Sequence, residues 1–240
     1  MASFDTTDVL PMLETSADRL RRSLADLDDD RVAAASALPE WSRAHVLTHL
    51  ARNADALINL LTWARTGQPT PMYPSREVRN AEIAEGALRP ADAQRADVEA
   101  SQARFMGVAA ELTDADWGST IRWGSDDQEG TADVVPWLRL VEVEVHHVDL
   151  DLGYTPAHWS TPFVRAQLVR TVEDRARRVD TPAMSLTATD DDVRHVLGDG
   201  SGPTVSGSQA ALLAWLLGRS DGHDLVIHGD GVLPGLAPWR

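Results

Sequence analysis

The chain has 240 residues and a formal net charge of −15 at pH 7, from 22 basic and 37 acidic side chains. So acidic a chain repels phosphate backbones and anionic lipid, and we expect neither a nucleic-acid nor a membrane partner. Hydrophobic residues make up 43 % of the sequence, which fits a folded protein of one large domain or two small ones. No apolar run approaches the roughly 18 residues that span a bilayer, and residues 1–5 lack a basic signal-peptide start, so we expect a cytoplasmic location.

Two missing residue types narrow the possible chemistry. The sequence has no cysteine, which excludes disulfides, thiolate nucleophiles and cysteine-ligated zinc or iron–sulfur sites. All of its basic residues are arginines, so Schiff-base chemistry and the phosphate-binding lysine of nucleotide-binding loops are excluded as well.

Apolar residues at helical spacing predict several helices in the first two thirds of the chain. Ser42 is a good N-cap for one of them and Gly67 a good stop, whereas residues 28–30, all aspartate, predict a solvated turn. Residues 117–130 are polar and rich in glycine and aspartate, which predicts a loop or a small hairpin. The predicted helices cover residues 8–27, 43–66, 76–87, 90–112 and 134–152.

The sequence changes in character after Pro156. A helix over residues 162–178 is followed by short β-like runs separated by glycine and aspartate clusters, and by a helix over 210–217. We therefore predict an all-helical bundle over residues 1–153 and a small α+β domain over residues 154–240.

A run of acidic and imidazole side chains lies in the predicted helix over 134–152. Residues 141–145 alternate polar and apolar, as in a strand, but apolar residues recur every three or four positions in the wider segment, which favours a helix. Glu142 and His146 then project from one face and can share a divalent metal. Glu144 and His147 offer an alternative pair, and the run can also be read as the exposed side of a helix.

A metal at this position needs a further ligand from elsewhere in the chain. His45 and His49, four residues apart on another predicted helix, are the candidates, because inward residues of non-adjacent helices meet in a bundle. A histidine near an apolar face is more often a hydrogen-bonded core residue than a ligand, and that interpretation stays open. Three protein ligands would leave a fourth position free, as in catalytic zinc sites, although iron or nickel also suits the donors.

The sequence resembles the mycothiol-dependent maleylpyruvate isomerase family over essentially its whole length. This resemblance implies a DinB-like four-helix bundle in the N-terminal part. Matching motifs occur in order at residues 41–49, 70–73, 79–84, 142–150 and 217–219.

The resemblance also implies the site residues. The family's metal-binding pattern falls on His49, Glu142 and His146, so that His45 and His147 become neighbours of the site. The family's catalytic arginine falls on Arg219, whose alternative role is that of an ordinary arginine near a helix C-terminus.

The implied reaction is the conversion of maleylpyruvate to fumarylpyruvate by addition of a thiol, rotation about a single bond and elimination. The implied cofactors are a divalent metal, with zinc preferred, and mycothiol, bound as a thiolate at the open metal position. We expect the partners to be a small dicarboxylate substrate and this low-molecular-weight thiol, and the protein to be a monomer. Tyr73 and Arg79 are further candidates for contact with substrate or thiol, and Asp149 for orienting a ligating histidine.

Two other functions remain open from the sequence. A mycothiol S-transferase would use the same metal and thiol with another electrophile. A non-catalytic bundle that binds a metal or a small molecule would need the metal ligands but not Arg219.

Overall fold

The structure is a computed structural model and describes residues 5–124, 127–229 and 231–239. Residues 125 and 126, in the predicted loop or hairpin, and residues 1–4, in the predicted N-terminal segment, lie outside the described residues. The chain divides into two compact units, Met1–Leu152 and Gly153–Arg240, next to the predicted boundary. Within the described ranges, no helix combines the length and the apolarity that crossing a membrane requires.

The first unit is mainly helical. Four long helices pack in a ring, since α3 contacts α5 and α7, and α1 contacts the same two helices. The predicted four-helix bundle is therefore confirmed. The elements are α1 (Thr6–Leu24), α2 (Asp29–Ala33), α3 (Arg43–Thr66), α4 (Arg76–Gly86), α5 (Ala91–Ala110), α6 (Asp114–Trp117), the antiparallel strands β1 (Thr120–Trp123) and β2 (Gln128–Thr131), and α7 (Val135–Asp149).

The bundle core consists of apolar side chains from the facing stripes of these helices. Burying such side chains stabilises the fold by about 1.5–3 kcal/mol each, before the entropy cost of ordering them. Core side chains with at most 2 % of their surface exposed include Leu13, Leu20, Leu50, Leu57, Phe105 and Leu140.

Local signals set the ends of α3. The hydroxyl of Ser42 accepts a hydrogen bond from the backbone N–H of His45, and Gly67 ends the helix with a left-handed φ of 70°. Glycine adopts this conformation without the steric cost that a Cβ atom imposes. Both predicted ends of this helix are confirmed.

Two predicted segments need comment. Residues 141–145 are helical, so the wider apolar period outweighs the local alternation. Residues 28–30 are exposed as predicted, but they do not form a simple turn: Asp28 caps α2 by accepting a hydrogen bond from the backbone N–H of Arg31, 2.8 Å away. An aspartate N-cap followed by acidic residues favours a helix start over a loop.

The second unit is α+β, as predicted. Its elements are α8 (Thr161–Arg177), β3 (Met184–Ala188), β4 (Arg194–Leu197), β5 (Thr204–Gly207), α9 (Gln209–Leu216) and β6 (Val226–His228). The strands form one sheet in the order β4-β3-β5-β6, in which only the β3–β5 pair is parallel among the described strands. The helices α8 and α9 pack against each other.

Candidate metal centre

Three side chains from two helices of the bundle converge on one point. The Nε2 atom of His49 lies 2.9 Å from Oε2 of Glu142 and 3.0 Å from Nε2 of His146. The Nε2 atom of His146 lies 3.3 Å from the same Glu142 oxygen. These are the three residues that the family resemblance implied as ligands, and the structure brings them together; their role as ligands stays a prediction.

The helices supply these donors through simple geometry. Glu142 and His146 are one turn apart on α7, so their side chains stack on one face, and His49 projects from the facing turn of α3. The two imidazole rings meet edge to face, with centroids 4.6 Å apart and planes at 88°. The side chains of all three residues are at most 12 % exposed, so water solvates the cluster only in part.

Two neighbours hold the histidines in place. Asp149 is buried, and its Oδ2 lies 2.8 Å from Nδ1 of His146, which leaves Nε2 of that ring directed at the cluster. The Trp41 ring packs edge-on beside His49, with centroids 5.8 Å apart. A carboxylate on the far nitrogen of a histidine fixes its tautomer and orientation, as is usual around protein-bound metals. The sequence-based interpretation of Asp149 as an orienting residue agrees with this contact.

The electrostatics favour a negatively charged carboxylate between two imidazoles. Burial lowers the pKa of His49 to about 4, despite the opposing hydrogen bond with Glu142. Burial alone would raise the pKa of Glu142, but hydrogen bonds with His146 and His49 outweigh it and bring this pKa well below its ordinary value. Burial would lower the pKa of His146, yet its contacts with Asp149 and Glu142 raise it.

The donor set fits a divalent cation. The three donor atoms all lie within 4.8 Å of one another, and no other such group of donors occurs among the described residues. Tetrahedral zinc with bonds of about 2.0–2.1 Å separates its ligand atoms by about 3.3–3.4 Å, so the observed separations need only a small expansion. Two imidazole nitrogens and one carboxylate oxygen also leave a coordination position for another molecule.

The other candidate residues of the two helices have different partners. The Nδ1 atom of His45 lies 2.7 Å from the hydroxyl of Ser42, in the capping box that starts α3. Glu144 and His147 are buried, 2 % and 1 % exposed, and face α1 instead of the cluster. Glu144 accepts a hydrogen bond from Ser16. These contacts exclude the reading of the acidic run as an exposed helix face.

His147 has a matching contact about two turns further along α1. Its Nε2 atom lies 2.8 Å from the hydroxyl of Ser23. The alternative pair, Glu144 and His147, therefore forms hydrogen bonds with α1, while Glu142 and His146 face α3.

Sequence reasoning missed the role of Arg139. This guanidinium is 1 % exposed and donates to the backbone carbonyl of Leu50 at 2.8 Å and to the side chains of Asn53 and Gln102. It thus ties the turn of α3 that follows His49 to the turn of α7 that precedes the ligands. The sequence does contain a signal for this role, since Arg139 is flanked by leucines in an apolar helix. A charged side chain in that setting is buried only when it is fully hydrogen-bonded.

Two further polar side chains lie near His49. Nη2 of Arg79, on α4, lies 3.2 Å from Nδ1 of His49. The Arg79 guanidinium carbon is 5.7 Å from the centroid of the Tyr73 ring. Both residues were weaker sequence candidates for contact with substrate or thiol, and the structure places them beside a predicted ligand.

Arg219 belongs to the second unit and follows α9. Its guanidinium donates to the carbonyl of Leu217 at 2.7 Å and lies 5.6 Å from the centroid of the Trp239 ring. Gly218 before it has a left-handed φ of 71°, which ends the helix. The catalytic role of Arg219 stays a prediction.

Known structures resemble the chain over its whole length. Two crystal structures of a mycothiol-dependent maleylpyruvate isomerase, one of them a histidine-to-alanine mutant, match with TM-scores of 0.90 and 0.92 at 27 % identity, covering 100 % of both chains. YfiT from Bacillus subtilis, which has an unusual four-helix bundle topology, matches 67 % of this chain and 91 % of its own. Its TM-score of 0.53 at 15 % identity shows a similar fold only. A comparison with curated protein sequences gave no significant match.

Family models cover both units. Residues 13–151 match the mycothiol maleylpyruvate isomerase N-terminal domain, and residues 158–238 match the MDMPI C-terminal domain, the abbreviation standing for the same isomerase. The first match alone includes more than half of the 240 residues and contains the His49, Glu142 and His146 cluster. The chain therefore belongs to the mycothiol maleylpyruvate isomerase family.

Proposed function

We propose that this chain is a metal- and mycothiol-dependent cis–trans isomerase that converts maleylpyruvate to fumarylpyruvate. The observation that carries the proposal is the convergence of His49, Glu142 and His146 in a chain that has no thiol of its own. Membership of the family, and the full-length likeness to isomerase structures, support the choice of substrate and thiol.

The reaction needs a nucleophile that adds and leaves again. A thiolate adds to one carbon of the cis double bond, and the electron pair moves onto the conjugated carbonyl to give an enolate. The former double bond is now single and can rotate. When the enolate collapses, the trans double bond forms and the thiolate departs, so atoms and electrons balance without any oxidant. Because this chain contains no cysteine, the thiol must come from a second molecule.

We propose that the metal is zinc, held by His49, Glu142 and His146. A divalent metal there would lower the pKa of a thiol bound at the open position, as it does for bound water. Asp149 orients His146 from behind, and burial of the cluster keeps the local dielectric low. Iron or nickel would suit the same donors, so zinc is a choice among divalent metals.

We assign to Arg219 the stabilisation of the negative charge that develops on the substrate. The assignment comes from the family resemblance, and its chemistry is sound, since a guanidinium can bind a carboxylate or an enolate oxygen through two hydrogen bonds. In an acidic chain with net charge −15, such a local cation is needed to bind a substrate that carries two carboxylates. The expected monomer and cytoplasmic location stay predictions.

The decisive experiment follows the ultraviolet absorbance of maleylpyruvate with purified, zinc-loaded protein. We expect the absorbance to change only when mycothiol is added, and the Glu142→Ala variant to be inactive and to contain little metal by elemental analysis. Unchanged absorbance with wild-type protein, zinc and mycothiol would eliminate the isomerase. Formation of a mycothiol conjugate with a generic electrophile, in the absence of isomerisation, would select the S-transferase instead.

A further inference from the structure

Arg79 provides a cation at the edge of the candidate metal centre. Its guanidinium lies 3.2 Å from Nδ1 of His49 and donates a hydrogen bond to the neighbouring Asn80 side chain at 3.1 Å. The side chain is partly exposed, and it forms no ion pair with any carboxylate that the structure describes. In a chain with 37 acidic residues, a cation without a carboxylate partner beside a predicted metal ligand calls for an explanation.

The contact with His49 cannot persist once that ring binds a metal through Nε2. A guanidinium has only donors, so Nδ1 of His49 accepts its hydrogen bond and the proton of the neutral ring is on Nε2. When the Nε2 lone pair is used for a metal, the proton of the neutral ring must be on Nδ1, and two donors would face each other. Arg79 then needs another acceptor.

Tyr73 lies next to Arg79, and its hydroxyl O–H has no acceptor among the described residues. The hydroxyl oxygen is buried, and the Arg79 guanidinium beside it can only donate to it. Burial, with a smaller contribution from the charge of Glu142, raises the pKa of Tyr73 to about 12, so the group is a hydrogen-bond donor at neutral pH. A buried O–H group rarely lacks an acceptor, and such a donor near the candidate metal centre indicates a ligand that supplies one.

We propose that Arg79 and Tyr73 together bind one carboxylate of the substrate beside the metal centre. The inference deepens the proposed function, on which it rests for the dicarboxylate nature of the substrate. An ionised carboxylate has two oxygens and about four lone-pair positions, so it can accept from the guanidinium and from the phenolic O–H at once. Arg79 is on α4 and Tyr73 in the segment just before it, only six residues apart in the chain.

A thiolate sulfur is the other anion that could accept from Arg79 and Tyr73, and the experiment must therefore separate carboxylate binding from thiol binding.

The test uses zinc-loaded protein and maleate, an unreactive cis-dicarboxylate, in isothermal titration calorimetry. Charge-assisted hydrogen bonds to a carboxylate are strong, so we expect Arg79→Gln to weaken maleate binding about tenfold or more, and Tyr73→Phe to weaken it severalfold. The same variants should raise KM for maleylpyruvate by similar factors. Arg104→Gln, which removes a guanidinium paired with Asp55 on the surface, is the matched control and should bind maleate like the wild type.

Elemental analysis and titration with mycothiol complete the design. Full zinc content with unchanged maleate affinity in Arg79→Gln and Tyr73→Phe would overturn the inference, and so would a change confined to mycothiol affinity. Loss of zinc from Arg79→Gln would also overturn it, in favour of a role in positioning His49. If the wild type binds maleate in an Arg79-dependent manner but does not isomerise maleylpyruvate, the proposed function fails while the carboxylate site stands.

Discussion

The imidazole of His146 and the carboxylate of Asp149 lie one helical turn apart, with Nδ1 and Oδ2 separated by 2.8 Å. Because the carboxylate accepts the Nδ1 proton, the lone pair of the neutral ring is on Nε2, which faces His49 and Glu142. Asp149 is itself 1 % exposed, so water does not compete for this hydrogen bond. The same helix therefore supplies both a predicted ligand and the group that aims it.

Replacing Asp149 by asparagine should weaken the metal site without emptying it. Asp149→Asn keeps the size of the side chain but removes the negative charge behind His146. We expect zinc affinity to fall about 10- to 100-fold at pH 8, the range typical of partners that orient ligating histidines. Competition with a chromogenic chelator would measure the change.

Asp151→Asn provides the control for that variant. The Asp151 side chain is exposed and lies at the 4.0 Å limit of an ion pair with Arg43, and the residue has a left-handed φ of 52° that asparagine tolerates. Zinc affinity should not change in Asp151→Asn. Equal affinities in both variants would contradict the orienting role of Asp149.

The pH dependence of zinc binding should reflect one proton, the one on His146. A metal binds only the deprotonated imidazole. The pKa of His146 is raised above its ordinary 6.5, so as the pH falls, protons begin to compete with the metal before pH 6.5 is reached. His49 has a pKa of about 4 and stays neutral at any higher pH. Glu142 stays ionised because its pKa is well below its ordinary value.

We therefore expect zinc affinity to fall about tenfold per pH unit between about pH 6 and pH 5. Competition titrations in that range would give the slope. In Asp149→Asn the onset should move to lower pH, since one of the two carboxylates that raise the pKa of His146 is gone. A slope of two protons would mean that His49 titrates near its ordinary pKa and that burial does not lower it.

Two glutamates of α7 should respond differently to the same substitution. Glu142→Gln removes the carboxylate from the cluster, and we expect metal content to fall from about one equivalent to near zero. Glu144→Gln changes a buried carboxylate that faces Ser16, so metal content should stay near one equivalent. Elemental analysis of the two variants, purified in parallel, would decide; comparable metal loss in both would contradict the assignment of Glu142.

Arg139 should matter for stability. Arg139→Met leaves the Leu50 carbonyl and the side chains of Asn53 and Gln102 without their buried donor, at a cost of about 2–5 kcal/mol in the free energy of unfolding. Although burial lowers the pKa of Arg139 to about 10, the group remains charged at neutral pH, so the loss should appear across the neutral range.

Urea denaturation would measure this loss as a shift in midpoint at unchanged slope. Arg104→Met is the surface control: its guanidinium is half exposed and pairs with Asp55, so its removal should cost less than about 1 kcal/mol. Equal midpoints for the two variants would show that the Arg139 hydrogen bonds contribute no more than a surface ion pair.

Much of this arrangement follows from local sequence. Ser42 and Gly67 mark the ends of α3, and the four-residue spacing of Glu142 and His146 places them on one face of α7. These features were predictable because caps and helical periodicity act over a few residues. The choice of His49 over His45 was not available from spacing alone and depended on the family resemblance.

Other features depend on which helices meet, and spacing cannot reveal that. Glu144 and His147 were possible ligands by spacing, and only the packing of α1 against α7 shows that they contact Ser16 and Ser23 instead of the cluster. The contact of Arg79 with His49 joins residues on separate helices, 30 positions apart in the chain, and depends on how α4 lies on α3. Such contacts are set by tertiary structure.

The polar contacts between α1 and α7 have a consequence for the ligands on the opposite side of α7. Ser16 and Ser23 hold Glu144 and His147, and both contacts would break if α7 turned about its own axis. Since helical residues move together in such a turn, these two serines fix the angular setting at which Glu142 and His146 face α3. Although α1 supplies none of the three predicted ligands, its two serines thereby set the direction in which Glu142 and His146 point.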